Sequence, residues 1–392
     1  MFQAYDKANH SLVSLMFLNK EEINKLKQKH YLCLACKQPV IIKNGSVKLA
    51  HFAHQSKKFC EFFSERETKE HLLLKEIMVR WCKKEGLIYQ LECYLPTIKQ
   101  RPDLLIGNIA VEIQCSPLSI ERLKERTKAY QENGYIPWWI CGEKLLPKGK
   151  LPILIKHFCS FSRNFGFYFW GIDWKEKNLI LYFHIEESYT KKLYYEKKTW
   201  PLYSFSLLTI FFYPILSTFS HQRVHNTADL IKDYIQNLTK KLMTNDKCIY
   251  KLQQELYSNH LHLLELPYWF YYPGISLFCC KESEILIKYL VWKIIDKHVD
   301  QKITHHQLLK LISQQLRKHS SVFYAFPCIS LKVCIGYCSY QLYRWLIDSQ
   351  ILLPTTNDES WMVRQAEKRN LKVDQSISKK MKSYISATPY QV

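Results

Sequence analysis

The sequence predicts an α/β (α+β) chain built around an α-β-β-β-α-β core at residues 63–145. Three observations carry that reading. A stretch with apolar residues at helical spacing is followed by three short apolar runs separated by turn residues. A second, capped helical stretch then leads into one more apolar run. The flanks also differ in character. A small β-rich module occupies 1–62, an aromatic strand-rich segment 146–225, a mostly helical region 226–365 and a basic tail 366–392.

In the first module, Lys37 to Ile42 and Ser46 to Ala50 read as short strands around Asn44-Gly45, a hairpin dipeptide. Residues 64–84 read as a helix, with Ser64 and Glu67 at capping-box spacing and Leu73, Leu74, Ile77, Met78 and Trp81 as its apolar stripe. Three strands follow: Ile88 to Leu95, closed by Pro96, then Arg101 to Ile106 and Ile109 to Cys115, joined by Gly107-Asn108. Ser119 to Asn133 reads as a helix with Ser119 as N-cap and Gly134 just past its end. Ile136 to Cys141 completes the core. Beyond it, Phe165 to Trp170 and Leu179 to Phe183 read as strands, and Leu230 to Leu242 and Leu286 to Ile294 as helices.

Composition limits the function. The chain has 392 residues, 47% of them hydrophobic, which excludes a fully disordered protein. Against 35 acidic residues stand 56 Lys and Arg, a net charge of +21. Such a surplus draws the protein to polyanions, nucleic acid first and an anionic membrane second. The N-terminal residues lack the pattern of a secretory signal, and the 14 cysteines are scattered. Reduced thiols and a cytoplasmic location are therefore expected. Thr199 to Ser220 carries no charge, but Pro201 and Pro214 favour a buried strand-turn-helix over a membrane span.

Two constellations carry chemistry. In the first, Cys33-x2-Cys36 precedes His51-x2-His54, and both pairs flank the predicted hairpin. Two thiolates and two imidazoles suit a closed, structural zinc site, with Cys60 as a substitute ligand. In the second, a turn at Gly107-Asn108 pairs Ile106 with Ile109 and, by extension, Asp103 with Glu112. Opposed carboxylates repel, so a divalent cation, Mg²⁺ or Mn²⁺, is expected between them. On that reading, neutralising either one in the metal-free protein leaves stability unchanged or slightly raised. Gln114 shares the face of Glu112. Glu70 lies on the helix stripe, where a carboxylate needs a partner. Lys75 reads as a solvent-facing helix lysine. His71 is open to either a packed or a catalytic reading.

These residues resemble the competence protein CoiA family of naturally transformable bacteria. The matching pieces are Cys33-x2-Cys36, His51-Phe52-Ala53-His54, Glu70-His71-x3-Lys75, Arg101-Pro102-Asp103, Val111-Glu112-Ile113-Gln114-Cys115-Ser116, Arg126-x3-Tyr130 and Gly134-Tyr135-Ile136-Pro137-Trp138-Trp139-Ile140. The resemblance covers about residues 25–145. It implies a PD-(D/E)XK, restriction-endonuclease-like core acting on incoming single-stranded DNA in natural transformation and recombination, with recombination proteins as further partners. Carried over, Asp103 and Glu112 are the Mg²⁺/Mn²⁺ ligands, Glu70 the helix carboxylate, and Gln114 stands where nucleases of this fold carry a lysine. Lys75 and Arg126 are candidates for DNA contact. Two functions follow: a metal-dependent deoxyribonuclease, or a DNA-binding recombination accessory that kept the fold and lost the chemistry.

Overall fold

A computed structural model describes residues 1–45, 48–55, 68–148, 151–187, 193–214, 227–271, 277–355 and 360–364. The chain forms two compact units: Met1–Ser160 with Phe167–Phe183 and Glu196–Ser217, and Phe161–Gly166 with His184–Tyr195 and Thr218–Val392.

The first unit opens with β1 (Gln3–Asp6), β2 (Leu12–Ser14), helix α1 (Lys20–Leu26), β3 (Tyr31–Leu32), β4 (Pro39–Lys43) and β5 (His51–His54), whose strands form a sheet in the order β2-β1-β3-β4-β5. The second strand of the predicted hairpin is displaced. β4 pairs with His51–His54, in the register Val40↔His54 and Ile42↔Phe52, not with 46–50. Burial decides this: Phe52 and Val40 join Tyr31 and Cys33 in one apolar cluster, whereas Leu49 stays exposed. Asn44-Gly45 therefore begins a longer connection.

Helix α2 (Lys69–Lys84) starts later than predicted, with Thr68 as N-cap accepting from His71 N at 3.0 Å. Ser64 and Glu67 lie outside the described residues. The buried face is Leu72, Leu74, Lys75, Met78, Val79, Trp81 and Cys82, while Leu73 and Ile77 are half-buried. The helix is thus rolled from its predicted stripe, and the roll carries Lys75 inward.

The core strands are β6 (Tyr89–Leu91), β7 (Leu104–Ile106), β8 (Ile109–Gln114) and, after α3 (Ile120–Glu132), β9 (Ile136–Cys141). The α-β-β-β-α-β order stands as predicted. Gly107, at φ +58°, turns β7 into β8 with Leu105↔Ala110 and Leu104↔Val111 in register, as the two-residue turn requires. Ser119 caps α3 and Gly134, at φ +78°, follows its end. That crossover lets β9 lie parallel to β8. Every residue of β8 is buried, as expected for a strand with a helix over each face.

The sheet continues beyond the predicted boundary at 145. After α4 (Ile153–Phe158) and β10 (Ser160–Ser162), strands β11 (Gly166–Asp173), β12 (Asn178–Glu187) and β13 (Leu193–Pro201) extend it in the order β13-β12-β11-β9-β8-β7-β6, with β10 on β11. The uncharged stretch from Thr199 resolves into the end of β13, a turn and α5 (Leu207–Phe212). Glu85 and Trp81 of the α2 end anchor it through Leu207 N (2.9 Å) and Phe205 O (3.0 Å). Among the described residues no helix is long and apolar enough to cross a membrane.

The second unit contains α6 (Thr227–Met243), α7 (Lys247–Tyr257), α8 (Glu284–Ile295), β14 (Lys302–Thr304), α9 (His305–Lys318), α10 (Leu331–Asp348), β15 (Leu352–Pro354) and β16 (Ser360–Val363). It is helical as expected, with a small sheet β14-β16-β15 that its three- and four-residue strands kept below the reach of a periodicity argument. The tail from 365 lies outside the described residues.

Candidate active site and cysteine–histidine knuckle

Asp103 precedes β7, where the chain has left the ladder. Its backbone carbonyl accepts from Glu92 N (3.0 Å). Its side chain turns to meet three donors: His71 Nε2 at 3.0 Å and Ile113 N at 2.9 Å on Oδ2, and Lys75 Nζ at 3.4 Å from Oδ1. Burial alone would raise this carboxyl, but the charges and hydrogen bonds of His71, Lys75 and Ile113 hold it well below the usual carboxylate range.

Lys75 is 1% exposed, which takes it out of reach of a DNA backbone and makes it an interior ion-pair partner. Its ammonium lies 2.5 Å from Glu92 Oε1 and touches Asp103 from the other side. Glu92, equally buried, spends its second oxygen on Phe2 N (2.8 Å) and Gln3 N (3.1 Å) of β1. It does so at φ +47°, a left-handed conformation that costs a non-glycine residue about 1–2 kcal/mol. A chain of polar contacts therefore runs from the N-terminal sheet through Glu92 and Lys75 to Asp103. The sequence pattern missed Glu92. An acidic residue just past a strand is common, and only the inward roll of α2 shows what it serves.

Glu112 lies mid-strand on β8, 2% exposed, and accepts from Arg126 Nη2 and from Tyr130 OH (2.5 Å) of α3. Burial works against the guanidinium charge, but Glu112, Tyr130 and Asp103 outweigh it and raise Arg126 still further. Burial and the Glu112 carboxylate likewise push the Tyr130 phenol up. Arg126 Nη2 also reaches Arg101 O at 3.3 Å, while its Nε is buried without a partner. The two carboxylates thus do not stand as a bare repulsive pair. Protein cations neutralise each of them.

Gln114 sits two residues beyond Glu112, and its amide donates to Ser116 O at 2.7 Å. Glu70 lies by the end of β8: its Oε1 accepts from Glu143 N (2.6 Å), so close to Gly142, whose N–H donates to Gln114 O at 2.8 Å, that a Cβ there would fall 2.6 Å away. Glycine at 142 is what allows this approach. Among the described residues Glu70, Asp103 and Glu112 do not gather three ligand atoms within 4.8 Å. Asp103 and Glu112 alone still suit Mg²⁺ or Mn²⁺. Both are hard oxygen donors, and Mg²⁺ commonly takes one or two carboxylates and completes its shell with water and phosphate.

The cysteine–histidine module is assembled in part. Cys33, Cys36 and His54 bring their ligand atoms within 4.8 Å, with Cys36 Sγ 3.2 Å from His54 Nε2. Lys37 at φ +58° closes the knuckle, its N–H reaching Cys33 O at 3.1 Å. His51 is not brought in; its Nδ1 meets Leu49 O at 2.8 Å. The reason is strand geometry: residues three apart on β5 point to opposite faces, so His51 and His54 cannot share one site. Cys60 lies outside the described residues. Two thiolates and an imidazole fit zinc chemically.

Residues 15–63 match the family model described as competence protein CoiA, N-terminal domain, and residues 67–214 the one described as competence protein CoiA, nuclease-like domain. The latter extent follows the sheet from α2 through α5. The chain is 33% identical over 135 residues to the protein named competence protein CoiA of Bacillus subtilis (strain 168), covering 33% of this chain and 36% of that protein. The match thus spans about a third of the curated relative's length. No solved structure matches.

Proposed function

The chain belongs to the competence protein CoiA family, and on that premise we propose that it acts on DNA during natural transformation as a metal-dependent nuclease. The observation that carries this reading is Lys75. Its buried ammonium, fixed by Glu92, stands 3.4 Å from Asp103 and keeps that carboxylate ionised and ready to hold a cation. Asp103 and Glu112 offer the metal-binding oxygens. A divalent ion bound there supplies Lewis-acid activation of water and neutralises charge on the scissile phosphate. Lys75 and His71 keep Asp103 ionised and fixed in direction. Arg126 orients Glu112. The test is incubation of labelled single- and double-stranded DNA with Mg²⁺, Mn²⁺ or EDTA. Cleavage that needs the ion supports the reading, and no cleavage under any ion overturns it.

A second reading is favoured by one observation: Arg126 and Tyr130 already occupy Glu112 Oε1. A binding accessory on this fold would bind DNA, show a Mg²⁺-dependent rise in melting temperature and cleave nothing.

DNA contact has an outer candidate to replace the buried Lys75 and Arg126. Arg80, Lys83, Lys84, Phe17 and Tyr203 line an open pocket, with the Arg80 and Lys83 cations 4.7 and 4.1 Å from the Phe17 ring centre. Cations beside exposed rings suit single strands, by phosphate attraction and base stacking. Binding should weaken steeply with salt, and Lys83→Glu/Lys84→Glu should lower the log–log salt slope by about 2. A slope unchanged in that variant excludes the pocket.

The knuckle is proposed to hold one structural zinc. His54→Ala is expected to lose it and His51→Ala to keep it, read by metal analysis of the purified protein. Loss in both variants would restore His51 as a ligand.

A further inference from the structure

We propose that Cys279, Cys280, Cys334 and Cys338 form a second, all-thiolate zinc site inside the helical unit. The four come from two places. Cys279 and Cys280 are neighbours ahead of α8, and Cys334 and Cys338 lie one turn apart on a single face of α10. The sulfurs of Cys279, Cys280 and Cys338 lie within 4.8 Å of one another. Cys338 Sγ is 3.2 Å from that of Cys279 and 3.6 Å from that of Cys280. Cys334 stands beside them, its carbonyl oxygen 3.8 Å from the Cys279 sulfur, and its thiol is proposed to turn in as the fourth ligand when the ion binds. All four are at most 2% exposed.

Spacing separates the available readings. A tetrahedral zinc with Zn–S bonds of about 2.3 Å holds its sulfurs about 3.8 Å apart. The observed separations reach that by opening a few tenths of an ångström. A disulfide requires about 2.05 Å, so the closest pair would have to close by more than an ångström. Packing alone gives no reason for the gathering, since a buried cysteine behaves as a small hydrophobe and needs no second thiol beside it. The backbone holds the dipeptide in place. Cys279 O accepts from Tyr324 N at 2.9 Å, Cys280 N donates to Leu277 O at 2.8 Å, and Cys280 forms an isolated bridge with Phe323.

Four sulfurs select zinc or another soft cation over Mg²⁺ and Mn²⁺, so this site and the carboxylate pair draw on different ions. With four protein ligands it is closed, and its role is structural. It ties the turn before α8 to α10 across 59 residues of chain.

The test starts from the full chain carrying Cys33→Ser/Cys36→Ser, which removes the knuckle ligands. After exposure to zinc under reducing conditions and desalting, elemental analysis should find one zinc per chain. Adding Cys279→Ala/Cys338→Ala should take that to none. Should the fourfold variant fail to fold, Co²⁺ loading of the first variant decides on its own: a strong sulfur-to-cobalt charge-transfer band is expected. No retained zinc, a Co²⁺ spectrum without thiolate bands, or a Cys279–Cys338 disulfide in the reduced, zinc-treated protein overturns the site.

Discussion

Asp103→Asn is expected to end divalent-dependent DNA cleavage. A bound metal ion contributes several kcal/mol of charge stabilisation in the transition state, and each ~1.4 kcal/mol is a factor of ten. The loss should therefore be at least about 100-fold, measured on labelled DNA at saturating Mg²⁺ or Mn²⁺. Cleavage at the wild-type rate would remove Asp103 from the site. The fold should survive, but not unharmed. Opposed, unpaired carboxylates would gain from neutralisation; the contacts of Asp103 with His71, Lys75 and Ile113 N reverse that sign. Weakening hydrogen bonds to a charged group costs about 1.5–3 kcal/mol, so the variant should be less stable by about that amount in urea.

The pH dependence follows from the same contacts. The folded Asp103 carboxyl is held below its unfolded value of about 3.9, so its contribution is present above that pH. It is lost as the pH falls from about 4 toward the depressed folded value. Asp103→Asn should lose less stability than wild type over this window. An acid limb identical in the two proteins would show that the charge is not held as the structure has it.

Lys75→Met should destabilise the first unit strongly. It deletes the cation between the buried Glu92 and the half-buried Asp103 and leaves Glu92, 1% exposed, without its ion-pair partner. Breaking a buried pair from one side costs about 3–5 kcal/mol. Because Glu92 also receives Phe2 N and Gln3 N, amide exchange at those two positions should accelerate in the variant. Adding Glu92→Gln removes the stranded charge while keeping an oxygen for both amides. The double variant should therefore recover part of the loss, a positive coupling in a double-mutant cycle. A cost within about 0.5 kcal/mol for Lys75→Met, the range of an ordinary surface change, would mean that the lysine reaches solvent.

Local chemistry fixed what the sequence could declare about this protein. Glycine at 107 and 134, the Ser119 cap and the apolar runs set the α-β-β-β-α-β order and the β7–β8 register, because each depends on residues within a turn or two of one another. The closeness of Cys33 and Cys36 follows from the same short spacing. Tertiary packing decided the rest. Whether α2 buries Leu73 or Lys75 depends on how the helix rolls on the sheet, and both stripes exist in its sequence. His51 lies apart from the Cys33, Cys36 and His54 cluster because β5 pairs so that Phe52 enters the core. Glu92 and the Cys279–Cys338 cluster gained partners from residues 17 to 90 positions away, which no periodicity records. What a side chain is for was readable when its partners lay on the same element or hairpin. Where partners came from distant segments, burial and ion pairing in the folded chain assigned the role.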